Sequence, residues 1–464
     1  MDAVASPAPH IYRRRRPETT DLYKAVNENL EPFYDAYDHR FLDQHGPLPS
    51  AARSTIEAYL RCGCLWAGAA RAKCDDCHRE ILVALSCQCR GVCPSCQQKR
   101  AEILCRFLED EVVEPVDHRQ LVFVLPKLFR AIFHRDRDML TGLCRAAVDA
   151  TVQFYRTGLD RKDVKPGLVV VPQFFGDRVN VHPHLHLLST DGAFDPTGTF
   201  HPLPFDNQSD IAVLQRLFER NVLELLVTHG RLSERLRDDM LTWQHTGFSV
   251  DGSVKIYKDD REGLRRLVRY MARPAVSVER VSYDARQGRV TVRSAKKFNG
   301  QRPVVETYDA LTFVSLLALQ VPPTGTHLVR YYGWYSVRSR AQRRPKDAAQ
   351  LAKPQCNEAS PLGASERRRA WARLIRQVFE VDPLTCPGCR GRMRVVSFVT
   401  RAQPKVLEKI LDHVGEPSRP ERCTGPPKWI QVLDAQQRML EHPERFPEDC
   451  ADWQWDQRSP DEWN

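Results

Sequence analysis

At 464 residues the chain is long enough for two or three domains, and a hydrophobic content of 42% supplies ordinary globular cores. No run approaches the roughly 18 apolar residues of a membrane span, and the N-terminus has no apolar stretch of the signal-peptide kind. The expected compartment is therefore the cytoplasm, with no membrane partner. A net charge of +10 with a pI near 8.9 points to a polyanionic partner, nucleic acid first. Fifteen cysteines in such a chain argue for metal binding rather than disulfides.

Residues 1–20 read as a disordered basic arm, with the run Arg13 to Arg16 before Pro17. From Asp21 to Arg61 the apolar spacing is helical, with a helix start at Pro49-Ser50 and with Ile56, Tyr59 and Leu60 on one face. A cysteine cluster follows. Cys74, Cys77, Cys93 and Cys96 form two C-x2-C pairs fifteen residues apart, the spacing of a zinc ribbon, and four thiolates suit tetrahedral zinc. Cys62, Cys64, Cys87 and Cys89 lie close enough in sequence to replace one of the four. With no open position, such a zinc is structural. The stretch Glu80–Ser86 between the pairs reads as a short strand.

Gln97 to Glu114 reads as a helix, Gln120–Leu125 as a strand, and Lys127–Arg156 as basic helical sequence. Gly167–Phe175 is a further strand, and Gly176-Asp177 is a two-residue hairpin signal. The returning strand is Val181-His-Pro-His-Leu-His-Leu-Leu188. Alternate side chains of a strand share a face, so His184 and His186 project together while Leu185 and Leu187 enter a core. Two imidazoles two residues apart share one metal ion readily. With that turn Gln173 pairs with Asn180 and faces the histidine side. A half-buried strand that merely carries histidines is the bland alternative.

Two helices are expected between 205 and 245, then a strand at Gly252–Ile256. In Asp260–Arg273 the residues Leu264, Leu267, Val268 and Met271 fall at helical spacing, and Pro274 stops the helix. Tyr270 sits at the edge of the apolar stripe, with Arg266 and Arg273 on the adjoining polar side. Arginines there stabilise both a phenolate and an attacked phosphate. Arg289–Arg293 reads as a strand and Asp309–Gln320 as a buried helix. His327–Gly333, a strand mixing aromatic residues with Arg330, suits stacking of unpaired bases. A basic linker spans 338–365. A small module then holds a helix at Ser365–Phe379, Cys386 and Cys389, a strand Met393–Val399 and a helix Pro404–His413. Cys423 is a candidate partner for that single C-x2-C pair. The tail is rich in Pro and Trp.

The stretches SCQCRGVCPSC, FFGDRVNVHPHLHLLSTDGAF, LRRLVRYMARPA, PPTGTHLVRYYG and VFEVDPLTCPGCRGRMRVVSFV occur in that order. In them the chain resembles the HUH tyrosine transposases of the IS91 family, especially the ISCR elements. The resemblance implies an α+β protein: a helical and zinc-ribbon domain at 21–115, and a catalytic domain at 116–337 with a central antiparallel sheet flanked by helices. A C-terminal module and tail follow at 366–464. It implies rolling-circle transposition through single-stranded or hairpin DNA at element ends and target DNA, in a bacterial cytoplasm at the nucleoid. Carried over, His184 and His186 are the catalytic metal pair and Tyr270 is the nucleophile. Where founding members have an earlier second tyrosine, this chain has Arg266, as in a single-tyrosine branch. A third metal ligand is expected; Gln173 is chosen by its face, with Asp177 and His182 as rivals. Mg²⁺ or Mn²⁺ suits the catalytic site, and Arg266, Arg273 and Arg330 suit DNA phosphates. The alternatives are a replication initiator or relaxase-like nickase with the same chemistry, a zinc-ribbon DNA-binding protein without catalysis, and a metal-dependent hydrolase on His182, His184 and His186.

Overall fold

The computed structural model describes residues 10–11, 15–136, 139–205, 208–294, 303–343, 381–382 and 384–416. Most of the basic arm and of the linker, the expected helix at 365–379, Cys423 and the tail lie outside the described residues.

A five-stranded antiparallel sheet forms the centre. Its strand order is Arg330–Gly333, Gly167–Phe175, Val181–Thr190, His118–Val124, Ser249–Ile256. The histidine strand therefore lies in the middle, paired on both sides, and its backbone is fixed by two ladders. Alternation divides its side chains as the sequence predicts. Leu185 and Leu187 enter a core with Phe123, Leu143, Tyr155 and Phe218, roofed by helices Leu140–Gly158 and Gln208–Thr228. Leu188, Val169 and Val171, on the histidine side, meet Leu264, Leu267, Val268 and Met271 of the helix Arg261–Met271. That helix is crossed by Pro94–Glu111, whose Glu102 and Glu109 pair with Arg269 and Arg265 at 2.6 and 2.7 Å.

The hairpin before the histidines is longer than its two-residue signal. Gly176 N–H donates to the Asn180 carbonyl at 2.9 Å, and Gln173 lies opposite His184 rather than Asn180, with a bulge before Phe175. The register differs from the expected one by four residues. An even shift leaves every side chain on its face, so Gln173 stays on the histidine side. The turn is set by Val179, fully buried among Ala275 and Val276 despite a φ of +67°. Left-handed backbone at a β-branched residue is costly, and here burial of the side chain offsets it.

The N-terminal part does not form a core alone. Leu22, Phe33 and Tyr37 of helix Asp21–Arg40 pack with Phe313 of Ala310–Leu319 and with Val290 and Val292 of a three-stranded sheet over 281–309. The C-terminal segment is likewise not separate. Strand Met393–Thr400 pairs antiparallel with Gly68–Cys74, which pairs with Glu80–Ala84. Leu407 and Leu411 of helix Pro404–Val414 cover Leu65 and Ala69.

One buried ion pair ties the end of the histidine strand to its neighbours. Arg119 holds Asp191 at 3.0 Å and donates to the carbonyls of Gly252 and Phe205. Removing one partner of such a pair strands a buried charge. Asp191→Ala is expected to cost about 3–5 kcal/mol, read as a fall in the urea midpoint. A midpoint equal to that of the unaltered chain would show that the pair is dispensable.

Candidate active site and metal centres

The helix carrying Tyr270 starts where Asp260 caps it, its carboxylate accepting from Gly263 N–H at 2.7 Å, and it ends before Pro274. Its apolar stripe lies on the histidine face of the sheet, so Tyr270 at the stripe's edge is brought against the imidazoles. The Tyr270 and His186 ring centres are 5.4 Å apart. The two open into a cleft of about 910 Å³ lined by His182, His184, His186, Tyr270, Arg266 and Arg273, among others.

The histidine geometry fits a metal ion. His184 Nε2 and His186 Nε2 lie 3.0 Å apart, close to the ~3 Å edge of an octahedron with ~2.1 Å ligand bonds. His184 Nδ1 lies 2.7 Å from the His182 carbonyl. A carbonyl only accepts, so Nδ1 carries the proton and Nε2 is the bare nitrogen of the neutral ring, the one able to ligate. Burial pushes His184 down to about 4, which keeps it neutral near pH 7. The side-chain amide of Gln120, on the adjacent strand, lies 2.9 Å from His186 Nδ1. An amide presents either its NH₂ or its oxygen. Turned oxygen-first, it accepts from Nδ1–H and leaves Nε2 of His186 bare as well. Gln120 was not singled out in the sequence. Its signal was a polar residue at the head of the apolar run Leu121–Leu125, in a stretch that reads as a strand.

Gln173 donates from Nε2 to the carbonyls of Met271 at 2.6 Å and Tyr270 at 3.3 Å. It thus adds a donor at the carbonyl end of the tyrosine helix, where backbone partners run out. Its Oε1 is buried with no hydrogen-bond partner, a donor atom suited to a hard cation. The rival Asp177 is engaged by Arg273 at 2.8 Å. The guanidinium of Arg273 lies 4.7 Å from the Tyr270 ring centre and 5.6 Å from that of Phe175, and its buried Nε has no hydrogen-bond partner. Arg266 lines the same cleft and is 66% exposed.

Arg330 is not part of this site. It pairs with Val170 in the ladder, and Val170 faces the core opposite the histidines. Its guanidinium donates to the His327 carbonyl and to Thr141. The aromatic residues beside it are also engaged: Tyr331 packs edge-on against Phe107, and Tyr335 is fully buried.

The cysteines form two tetrads, neither of them the expected one. Cys62, Cys87, Cys93 and Cys96 form the first, and Cys74, Cys77, Cys386 and Cys389 the second; within each, all sulfurs lie within 4.8 Å of one another. The reason is the hairpin Gly68–Ala84. Cys62 and Cys87 flank its base, whereas Cys74 and Cys77 sit at its tip, about 20 Å away at ~3.3 Å per strand residue. Cys93 and Cys96 open the helix Pro94–Glu111 beside the base. Sulfur separations of 3.4–3.7 Å in the first tetrad approach the ~3.8 Å edge of a tetrahedron with ~2.3 Å zinc–sulfur bonds.

Two family models match the chain, a "Transposase zinc-binding domain" over residues 32–125 and a "Putative transposase" over residues 167–343. The chain is 26% identical to "Putative transposase y4qJ" of Sinorhizobium fredii over 83% of its own length and 96% of that protein's. It is 24% identical to the "Transposase for insertion sequence element IS801" of Pseudomonas savastanoi pv. phaseolicola, over 75% of its own length and 84% of that protein's. No solved structure matches. Among the described residues no helix is long and apolar enough to cross a membrane. A zinc-binding domain followed by a transposase domain, together with these two transposases as relatives, supports an IS91-family transposase.

Proposed function

We propose that this transposase nicks and rejoins single-stranded DNA at element ends through Tyr270, in a rolling-circle reaction. The observation that carries the reading is the convergence of His184 Nε2 and His186 Nε2 with Tyr270 alongside. In the first step the Tyr270 hydroxyl oxygen attacks a backbone phosphorus and its proton leaves. The P–O3′ bond breaks, a free 3′-hydroxyl departs with a proton, and the 5′ end stays on the enzyme as a phosphotyrosine. The ester conserves the bond for religation. In the second step a 3′-hydroxyl attacks that phosphorus, and Tyr270 is released with its proton restored.

His184, His186 and Gln173 Oε1 would hold a Mg²⁺ or Mn²⁺ ion. When bound, the ion polarises the scissile phosphate as a Lewis acid. Gln120 and the His182 carbonyl orient the imidazoles. Arg273 has an unpartnered Nε–H beside the tyrosine and offers it to the phosphate as negative charge builds. Arg266 at the cleft mouth neutralises the incoming strand. Gln173 fixes the end of the tyrosine helix, so the same side chain positions nucleophile and ion.

The test is incubation of the full chain with a single-stranded element end and Mg²⁺ or Mn²⁺, followed by a denaturing gel. A protein–DNA adduct that needs the divalent ion is expected; free nicked product with no adduct would point to hydrolysis instead. Binding to the single strand should exceed binding to plain duplex and weaken steeply between 50 and 200 mM salt, as expected for several phosphate contacts (about 10³-fold or more). Equal affinity for the two forms would count against a single-stranded substrate.

A further inference from the structure

The structure assigns a second zinc site to Cys74, Cys77, Cys386 and Cys389, one that staples the C-terminal segment to the hairpin tip of the zinc-binding domain. Neither family model reaches Cys386 or Cys389, since the matches end at residue 343. The ligand pairs are more than 300 residues apart in sequence, yet Cys74 Sγ lies 3.5 Å from Cys389 Sγ, and Cys77 Sγ lies 3.5 Å from Cys386 Sγ.

The two pairs are built alike. Cys74 N–H donates to the Arg79 carbonyl at 2.8 Å, and Cys386 N–H donates to the Gly391 carbonyl at 2.9 Å, so each knuckle closes from its first cysteine to the fifth residue beyond. The residue after each second cysteine is left-handed, His78 at φ +59° and Arg390 at φ +61°. In the C-terminal knuckle Gly388 N–H and Gly391 N–H point at the Cys386 and Cys389 sulfurs, both at 3.4 Å. Such bonds stabilise thiolates. Gly391 lies against the Asp76 carboxylate of the facing knuckle, and a side chain there would also press on the Cys389 sulfur and make Asp76 turn aside. Two such turns facing each other present four thiolates to one tetrahedral ion.

The docking is not made by the cysteines alone. Met393 pairs with Cys74 and the ladder runs on to Thr400 opposite Gly68, while Arg394 pairs with Asp75 at 2.8 Å. The first tetrad is largely buried, but Cys77 and Cys389 of the second are exposed. The staple should therefore lose its ion to a chelator before the first site does.

The test is zinc content of the full chain, purified under reductant and measured by mass spectrometry. About two zinc ions per chain are expected. Cys386→Ser with Cys389→Ser should leave one, as should Cys74→Ser with Cys77→Ser. All four substitutions together should still leave one, because both pairs serve a single ion. One zinc in the unaltered chain, two in the Cys386/Cys389 variant, or a further loss in the fourfold variant would each overturn the assignment. So would a metal-free chain with Cys74–Cys389 or Cys77–Cys386 disulfides. If the hairpin-tip variant does not fold, the Cys386/Cys389 variant decides, since its substitutions precede the strand Met393–Thr400 and leave the hairpin Gly68–Ala84 unaltered.

Discussion

Tyr270→Phe is expected to abolish the covalent adduct and to lower nicking by more than about 10³-fold, the scale of losing a nucleophile. The substitution removes one hydroxyl. The ring keeps its place 5.4 Å from His186 and beneath the Arg273 guanidinium, so the fold, the zinc content and DNA binding should be unchanged. Its neighbours offer poor replacements. Burial pushes the phenols of Tyr331, Tyr332 and Tyr335 above the usual tyrosine range, which makes their phenolates scarcer still. The Tyr283 hydroxyl accepts from Asn29 across the N-terminal core. Tyr257 is exposed, but it sits past the end of an edge strand, away from the histidines. An adduct of undiminished yield from the Phe variant would show that another residue attacks.

His184→Ala and His186→Ala should each lower nicking by about 10²–10³-fold or more, as expected when several kcal/mol of Lewis-acid stabilisation are lost. DNA affinity should change little, because it rests on charge spread over the surface. The paired readout matters. Loss of nicking and affinity together would indicate collapse of the central strand, whose two ladders hold both histidines. Nicking at the normal rate in Mg²⁺ by either variant would remove the ion from the reaction altogether.

The half of the protein that holds the histidines and Tyr270 was largely legible because its signals are local. Alternation within Val181–Leu188 fixes which side chains share a face, and the spacing of Leu264, Leu267, Val268 and Met271 fixes which face of the helix is buried. Both hold in the structure and together bring Tyr270 to the histidines. Even the misjudged turn did no harm to Gln173, since the register moved by an even number. What stayed hidden depends on which strand neighbours which. That Arg330 lies on the face away from the histidines follows from its pairing with Val170, which its own segment does not announce. Gln120 gained a role only because its strand lies beside the histidine strand. The cysteines were misassigned for a related reason: proximity in sequence favoured Cys74 and Cys77 with Cys93 and Cys96, but a hairpin separates its tip from its base. The cysteines that meet the tip lie just before a strand from the C-terminal segment that pairs with the hairpin, which no local pattern announces.

The most direct test of the account is to trap the adduct between the unaltered chain and a single-stranded element end, digest it, and locate the nucleotide by mass spectrometry. The account predicts a 5′-phosphate on the peptide that contains Tyr270. A nucleotide on Tyr257, Tyr283 or Tyr331, or on a residue other than tyrosine, would contradict it.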